Sequence, residues 1–116
     1  MRLTKTLFVL LTLMVAPLAA FSAEEGIASY YADSLAGNST ASGEPYDPTA
    51  LTAAHKTLQF GTKVKVTYLK TGKSVVVVIN DRGPPVDDRI IDLSRAAAEA
   101  VGLIDDGLGT VVLEVL

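Results

Sequence analysis

One stretch decides the fold: residues 75–85, which read VVVVINDRGPP. Val75–Ile79 are five consecutive β-branched residues, which favour a β-strand. Because apolar residues do not alternate with polar ones, this strand is predicted to be buried on both faces. It is predicted to end in a turn over residues 80–84, where Asp81 and Arg82 stand among turn-forming residues. A rigid strand that delivers a carboxylate and a guanidinium to a loop suits a functional site, and it equally suits an ordinary turn.

Short predicted strands surround this stretch. Alternation of polar and apolar residues predicts a strand over 62–69, and β-branched and aromatic residues predict others at 26–32, 89–93 and 110–116. Ser94 is predicted to cap a short helix that ends at Gly102. A long loop is predicted over 33–48, followed by a helical turn over 49–55. Strands that do not alternate with helices predict a small closed β-barrel rather than a doubly wound parallel sheet.

Residues 1–23 have the composition of a secretory signal peptide. Arg2 and Lys5 precede an apolar segment, and small residues follow Pro17. The apolar segment is shorter than the roughly 20 residues of a membrane-spanning helix. We therefore expect cleavage near Ala23 and export to the periplasm or the extracellular space, with an uncleaved N-terminal anchor as the alternative. Residues 24–116 are then expected to form one domain.

Composition excludes several classes of function. Removal of Arg2 and Lys5 takes the net charge from −3 to −5, and an acidic domain without basic clusters is a poor partner for nucleic acid. The absence of cysteine excludes disulfides, a lipid anchor on cysteine, and cysteine nucleophiles. A single histidine also excludes zinc sites of the Cys/His type. No metal or organic cofactor is expected, and the chain is expected to be a monomer.

Two carboxylates and one imidazole remain as candidates for catalysis. Glu44 lies in the long loop before Pro45, which restricts the backbone of Glu44 to an extended conformation. Asp81 follows the valine-rich strand, and His55 lies between the two in the sequence. Each has an ordinary structural interpretation: an exposed loop glutamate, a turn aspartate and a hydrogen-bonding histidine. The pattern alone favours those interpretations.

Five more side chains are candidates for substrate binding. Aromatic rings offer a face to a sugar, and guanidinium groups pair with carboxylates. Placement of the tyrosines in the core and pairing of the arginines with neighbouring aspartates are the alternative interpretations. The five are Tyr30, Tyr31, Tyr46, Arg82 and Arg89.

Six blocks of sequence, taken in order, resemble the RlpA (rare lipoprotein A) family of endolytic peptidoglycan transglycosylases. The blocks are GIASYY from Gly26, TASGEPYD from Thr40, LTAAHKTL from Leu51, FGTKVKV from Phe60, INDRGP from Ile79 and RIIDLSRAAA from Arg89. The resemblance implies a six-stranded double-psi β-barrel with one or two short helices. It also implies cleavage of the β-1,4 bond between N-acetylmuramic acid and N-acetylglucosamine, leaving 1,6-anhydro ends.

The same resemblance implies that Glu44 and Asp81 are the acidic active-site pair, with His55 nearby. We expect Asp81 to be the general acid, because a strand end holds it rigidly, and Glu44 to orient the substrate or act as base; the reverse assignment stays open. The chain departs from the family pattern at Val78, where an arginine is usual, at Pro85, where an aromatic is usual, and at Asp87–Asp88, where glycine is common. A non-catalytic, expansin-like or barwin-like wall-binding module is therefore the rival interpretation, and a hydrolase is a second one.

Overall fold

The structure is a computed structural model that describes residues 23–116, so the predicted signal peptide lies almost wholly outside the described residues. Six strands form the domain, with one α-helix and one short 3-10 helix. The strands are β1 (Glu24–Tyr30), β2 (Thr52–His55), β3 (Lys63–Tyr68), β4 (Ser74–Asp81), β5 (Arg89–Leu93) and β6 (Gly109–Val115). Helix α1 spans Arg95–Val101, and the 3-10 helix spans Asp33–Leu35. Within residues 23–116, no helix is long and apolar enough to cross a bilayer.

The six strands close into a barrel in the order β1-β5-β2-β4-β3-β6. Two neighbouring pairs, β1 with β5 and β2 with β4, are parallel, and the other four pairs are antiparallel. The predicted six-stranded double-psi β-barrel is therefore confirmed. Each parallel pair brings together strands that are distant in sequence, and this brings the end of β4 close to the end of β2.

Strand β4 forms as predicted, but the prediction that both of its faces are buried is wrong. Val77 and Ile79 point into the core with no exposed surface, whereas Val76 is 42% exposed and lies opposite Lys65 of β3. A barrel strand has one face on the core and the other on solvent or covering loops. The uniformly apolar sequence of Val75–Ile79 thus conceals an alternation of burial.

The helical turn predicted over 49–55 is also wrong, because Thr52–His55 forms strand β2. This strand lies between β5 and β4 and uses backbone hydrogen bonds to both. Ala53 and Ala54 are buried there. Alanine favours helices in isolation, but pairing on both sides outweighs a local preference of well under 1 kcal/mol per residue.

Helix α1 has the predicted caps. The Ser94 hydroxyl accepts a hydrogen bond from the Ala97 N–H at 3.2 Å. Gly102 ends the helix with φ of 82°, and its N–H bonds back to the carbonyls of Ala98 and Glu99. The buried face of the helix, which includes Val101, packs against the core of the barrel.

Strands β3 and β6 approach each other closely at Gly109. A Cβ on Gly109 would lie 2.7 Å from Cζ of Tyr68, so only glycine fits beneath this ring. The Tyr68 hydroxyl donates to Asp106 Oδ2 at 2.5 Å, and Lys70 Nζ donates to Asp106 Oδ1 at 2.9 Å. These two donors, the tyrosine first, hold the pKa of Asp106 below its ordinary value.

Candidate active site

The long loop predicted over 33–48 contains an ordered hairpin, residues 39–45, which we call the active-site hairpin. Ser39 and Pro45 pair across its base. The Thr40 N–H donates to the Glu44 carbonyl at 2.9 Å, and the Gly43 N–H donates to the Thr40 carbonyl at 2.9 Å. Gly43 has φ of 93°, a conformation that favours glycine at this tight turn. These local bonds fix the backbone direction of Glu44.

The active-site hairpin is bonded to the end of β4. The Ala41 N–H donates to Asp81 Oδ1 at 2.8 Å, and the Ser42 N–H donates to the Asn80 carbonyl at 3.2 Å. The Asn80 side-chain amide, buried at the end of the strand, donates to Glu44 Oε1 at 3.3 Å. The structure therefore joins Glu44 and Asp81 through adjacent residues of one strand.

Three donors hold the Asp81 carboxyl group. Oδ1 accepts from the backbone N–H groups of Ala41 and Arg82, the latter at 2.9 Å. Oδ2 accepts from the Tyr31 hydroxyl. Burial first, and then the hydrogen bond to Asp81, raise the pKa of Tyr31, so this hydroxyl keeps its proton and remains a donor. Oδ1 thus accepts two hydrogen bonds, whereas Oδ2 accepts one and keeps a lone pair that can bind a proton.

Tyr31 rests on a second tyrosine. The rings of Tyr31 and Tyr46 stack with centroids 4.3 Å apart and an interplanar angle of 16°. Tyr46 is only 3% exposed, and its hydroxyl accepts from the Arg95 N–H at the start of α1 at 3.0 Å. Burial raises the pKa of Tyr46. Tyr46 thus supports Tyr31 and connects it to the helix, with little surface left for a sugar ring.

Two cavities lie along the active-site hairpin, and each contains one of the carboxylates. The larger, of about 310 Å³, is lined by Glu44, Pro45, Asp47, Ala50, Thr52 and Asn80. The smaller, of about 210 Å³, is lined by Tyr31, Leu35, Asn38, Ser39, Thr40, Tyr46 and Asp81. The two arms of the hairpin contribute to different cavities. Glu44 and Asp81 are therefore neighbours that face separate spaces.

Asp47 is a further carboxylate of the larger cavity that the sequence did not single out. The side chain and the backbone N–H of Thr49 both donate to its Oδ1, and they lower the pKa of Asp47. Val78 lies opposite Thr52, a residue that lines this cavity. The larger cavity is thus lined by two acidic groups and no arginine or lysine.

His55 does not face either cavity. Its Nε2 bonds with Glu24 Oε1 at 2.9 Å, and its Nδ1 accepts from the backbone N–H groups of Thr57 and Leu58, both at 3.1 Å. The His55 side chain is 6% exposed. His55 follows Ala54, the residue that pairs with Asp81 between β2 and β4, but its buried imidazole lines neither of the two cavities that contain the carboxylates.

The remaining predicted binding residues lie apart from the cavities. Tyr30 packs against the core and donates to the Ile104 carbonyl at 2.9 Å. The Arg82 guanidinium lies over the Phe60 ring, 4.3 Å from its centroid, and donates to the His55 carbonyl at 3.1 Å. Arg89 begins β5 and is half-buried, and it forms no ion pair with any residue of the described part of the chain.

Within residues 23–116, no group of three His, Cys, Asp or Glu side chains is arranged to hold a metal ion. The chemistry available at the two cavities is that of carboxyl, hydroxyl and amide groups. Such groups can transfer protons and can stabilise positive charge.

A sequence model of the lytic transglycolase family matches residues 23–113. The chain belongs to the lytic transglycolase family. The chain is 55% identical over 91 residues to a curated relative from Synechocystis sp.. That relative is named a probable endolytic peptidoglycan transglycosylase RlpA. The matched region covers 78% of this chain and 28% of the relative, so this family member spans less than a third of that relative's length. The family predicted from the six sequence blocks is confirmed.

Two solved structures have the same fold as this chain. The Streptomyces papain inhibitor has a TM-score of 0.66 and 25% identity, over 82% of this chain and 94% of the inhibitor. An expansin from Clavibacter michiganensis has a TM-score of 0.64 and 22% identity, over 82% of this chain and 50% of the expansin. The expansin likeness shows a shared fold only.

Proposed function

We propose that the protein is an endolytic lytic transglycosylase that cleaves the β-1,4 bond between N-acetylmuramic acid and N-acetylglucosamine in peptidoglycan. The observation that carries this proposal is the fixed Asp81 carboxyl group, held by three donors beside a cavity and joined through Asn80 to Glu44. The family membership and the name of the Synechocystis relative support the choice of substrate.

In the proposed first step, Asp81 acts as general acid. Its Oδ2 carries the proton, because backbone N–H groups occupy Oδ1. The proton passes to the glycosidic oxygen, O4 of N-acetylglucosamine, as the bond from C1 of N-acetylmuramic acid to that oxygen breaks. Asp81 becomes negatively charged in this step, and the Tyr31 hydroxyl donates to the developing charge.

In the proposed second step, the C6 hydroxyl of N-acetylmuramic acid bonds to its own C1 and closes the 1,6-anhydro ring. The C6 hydroxyl proton returns to the Asp81 carboxylate, so no water is added and the enzyme is regenerated. Glu44, oriented by Asn80, holds a neighbouring part of the glycan strand in the larger cavity. A well-oriented internal nucleophile gains about 7–11 kcal/mol over a free one, so orientation is the main requirement.

The proposed site of action is the periplasm or the extracellular space, after removal of residues 1–23. The basic start and apolar segment of these residues support export. Peptidoglycan glycan strands are the proposed partner. The absence of cysteine means that anchoring through a lipid on cysteine is not part of the proposal.

Mass spectrometry of purified peptidoglycan sacculi, after incubation with the protein, tests the proposal. Transglycosylation releases fragments with 1,6-anhydro ends. New reducing ends would instead indicate a hydrolase, and an unchanged glycan that retains the bound protein would indicate the wall-binding alternative.

The site assignment is tested by Asp81→Asn and Glu44→Gln. Removal of a general acid costs about 10²- to 10⁴-fold in rate, and we expect losses in this range for Asp81→Asn. Glu44→Gln is expected to lose at least about tenfold, since the amide keeps the bond to Asn80 but carries no charge. Asp88→Asn, a matched change in the exposed loop before β5, is the control. Full activity in both cavity variants would contradict the assignment.

A further inference from the structure

We infer that Glu24 and His55 are a positioning pair, which holds Arg82 and through it Asp81, and that His55 transfers no proton in the reaction. This inference names a supporting device of the proposed active site, so it rests on the proposed function. It assigns a role to Glu24, a residue that lies in none of the six family-like sequence blocks.

The hydrogen bonds of His55 fix the tautomer of its imidazole. Nδ1 of His55 accepts from two backbone N–H groups, those of Thr57 and Leu58, so Nδ1 carries no hydrogen. The ring hydrogen is therefore on Nε2, which donates to Glu24 Oε1 at 2.9 Å. Both ring nitrogens are occupied and the side chain is 6% exposed. No nitrogen of the ring remains for a substrate.

The fixed imidazole supports the turn after β2, which in turn contacts Arg82. By accepting from Thr57 and Leu58, His55 closes the turn that follows β2. The main-chain carbonyl of His55 accepts from Arg82 Nη1 at 3.1 Å. Phe60, a few residues further along the same segment, lies under the Arg82 guanidinium. The turn thus holds the Arg82 side chain from two sides.

Arg82 is hydrogen-bonded to the Asp81 carboxyl group, the proposed general acid. The Arg82 N–H donates to Asp81 Oδ1 at 2.9 Å, and it is one of the two backbone groups that occupy this oxygen. A displaced turn after β2 would release the Arg82 side chain, and the Arg82 N–H would then no longer be fixed against Asp81. The path from imidazole to carboxyl group consists of hydrogen bonds and packing, with no proton carrier between them.

Glu24 completes the device from another strand. It is the first residue of β1, which is separated from β2 by β5 in the barrel. Its bond to His55 therefore spans β5, and it connects the start of β1 to the turn after β2. The Glu24 side chain is 49% exposed, so it lies between the buried imidazole and the solvent.

The decisive variants replace His55 with asparagine and with alanine, assayed by release of 1,6-anhydro fragments. Asparagine places Oδ1 where Nδ1 stood, so it still accepts from Thr57 and Leu58, but it cannot transfer a proton at neutral pH. We expect His55→Asn to keep kcat within about tenfold of wild type and KM within about twofold, and His55→Ala to lose substantially more. Loss of about 10²-fold or more in His55→Asn, as expected for removal of an acid or base, would overturn the inference.

Glu24 offers a second pair of variants, which change a half-exposed side chain. Glu24→Gln keeps an oxygen that accepts from Nε2–H, and we expect activity within about threefold of wild type. Glu24→Ala removes this acceptor and is expected to lower kcat further while KM changes little. Equal loss in Glu24→Gln and Glu24→Ala would show that the charge on Glu24 matters, as in a proton-transfer pair, and would contradict the positioning role.

A measurement independent of activity separates this inference from the proposed function. ¹⁵N NMR of the imidazole is expected to report the Nε2–H tautomer. The Arg82 amide signal is expected to move further in His55→Ala, which loses both sets of bonds, than in His55→Asn, which loses only the bond to Glu24. An Nδ1–H tautomer, or an Arg82 signal that is unchanged in both variants, would overturn the inference. Absence of anhydro products with wild-type protein would instead contradict the proposed function, while these NMR results would still decide the positioning role.

Discussion

The hydroxyl of Tyr31 gives the sharpest test of how the Asp81 carboxyl group works. In Tyr31→Phe, the ring still stacks on Tyr46, but Oδ2 of Asp81 loses its donor. A hydrogen bond to a charged group contributes about 1.5–3 kcal/mol, and one to a neutral group about 0.5–1.5 kcal/mol. In the proposed reaction, Asp81 passes from neutral to charged as it gives up its proton, so about 1–1.5 kcal/mol of stabilisation belongs to the transition state. At about 1.4 kcal/mol per tenfold, kcat should fall about 5- to 12-fold.

The assay measures kcat and KM separately on a soluble glycan-strand substrate. KM is expected to stay within about twofold, because the aromatic surface is unchanged. Tyr30→Phe is the matched control: it removes the neighbouring hydroxyl, whose partner is the Ile104 carbonyl, and should lower stability by about 1 kcal/mol without lowering kcat. An unchanged kcat in Tyr31→Phe would refute the reasoning. A raised KM with the same kcat would instead identify Tyr31 as a sugar-binding surface.

Two further predictions concern stability. Gly109→Ala places a Cβ 2.7 Å from Cζ of Tyr68, and such overpacking costs about 1–3 kcal/mol, so the urea midpoint should fall; an unchanged midpoint would mean that the ring moves aside freely. Asp106 has a folded-state pKa below its ordinary value, so its contribution to stability is complete above the ordinary pKa of about 3.9 and is lost as the pH falls through the lowered value. The difference in Tm between wild type and Asp106→Asn should therefore be present at pH 7 and disappear in strong acid, and a difference that persists at low pH would contradict this account.

The elements predicted well from the sequence are those set by local chemistry. Helix α1 is bounded by a capping serine and a glycine with positive φ, and both signals act within a few residues. The β-branched residues at 75–79 predict the strand correctly, but they do not predict which of its faces is buried. Burial depends on which neighbours the strand has in the barrel, and Val76 shows this because its neighbour Lys65 lies on the solvent side.

Strand β2 and the supports of the site could not be predicted because they depend on contacts distant in sequence. Ala53 and Ala54 become a strand only between β4 and β5. The amide of Ala41 and the carboxyl group of Asp81 are 40 positions apart, and His55 and Glu24 are 31 apart. The resemblance to the family implies that Glu44 and Asp81 are an acidic pair, but it does not indicate that the two face separate cavities.

The active-site hairpin contacts β4 largely through its own main chain. Ala41 and Ser42 bond to the strand with their N–H groups, and those bonds do not depend on the side chains at these two positions. Ala41 is exposed, so a larger side chain can replace it, and under the proposed function that side chain would contact the glycan while Asp81 keeps its donor. Substitutions at residue 41 can therefore change the surface beside the proposed site while the hydrogen bond to Asp81 is kept, provided that the new residue is not proline, which lacks the required N–H.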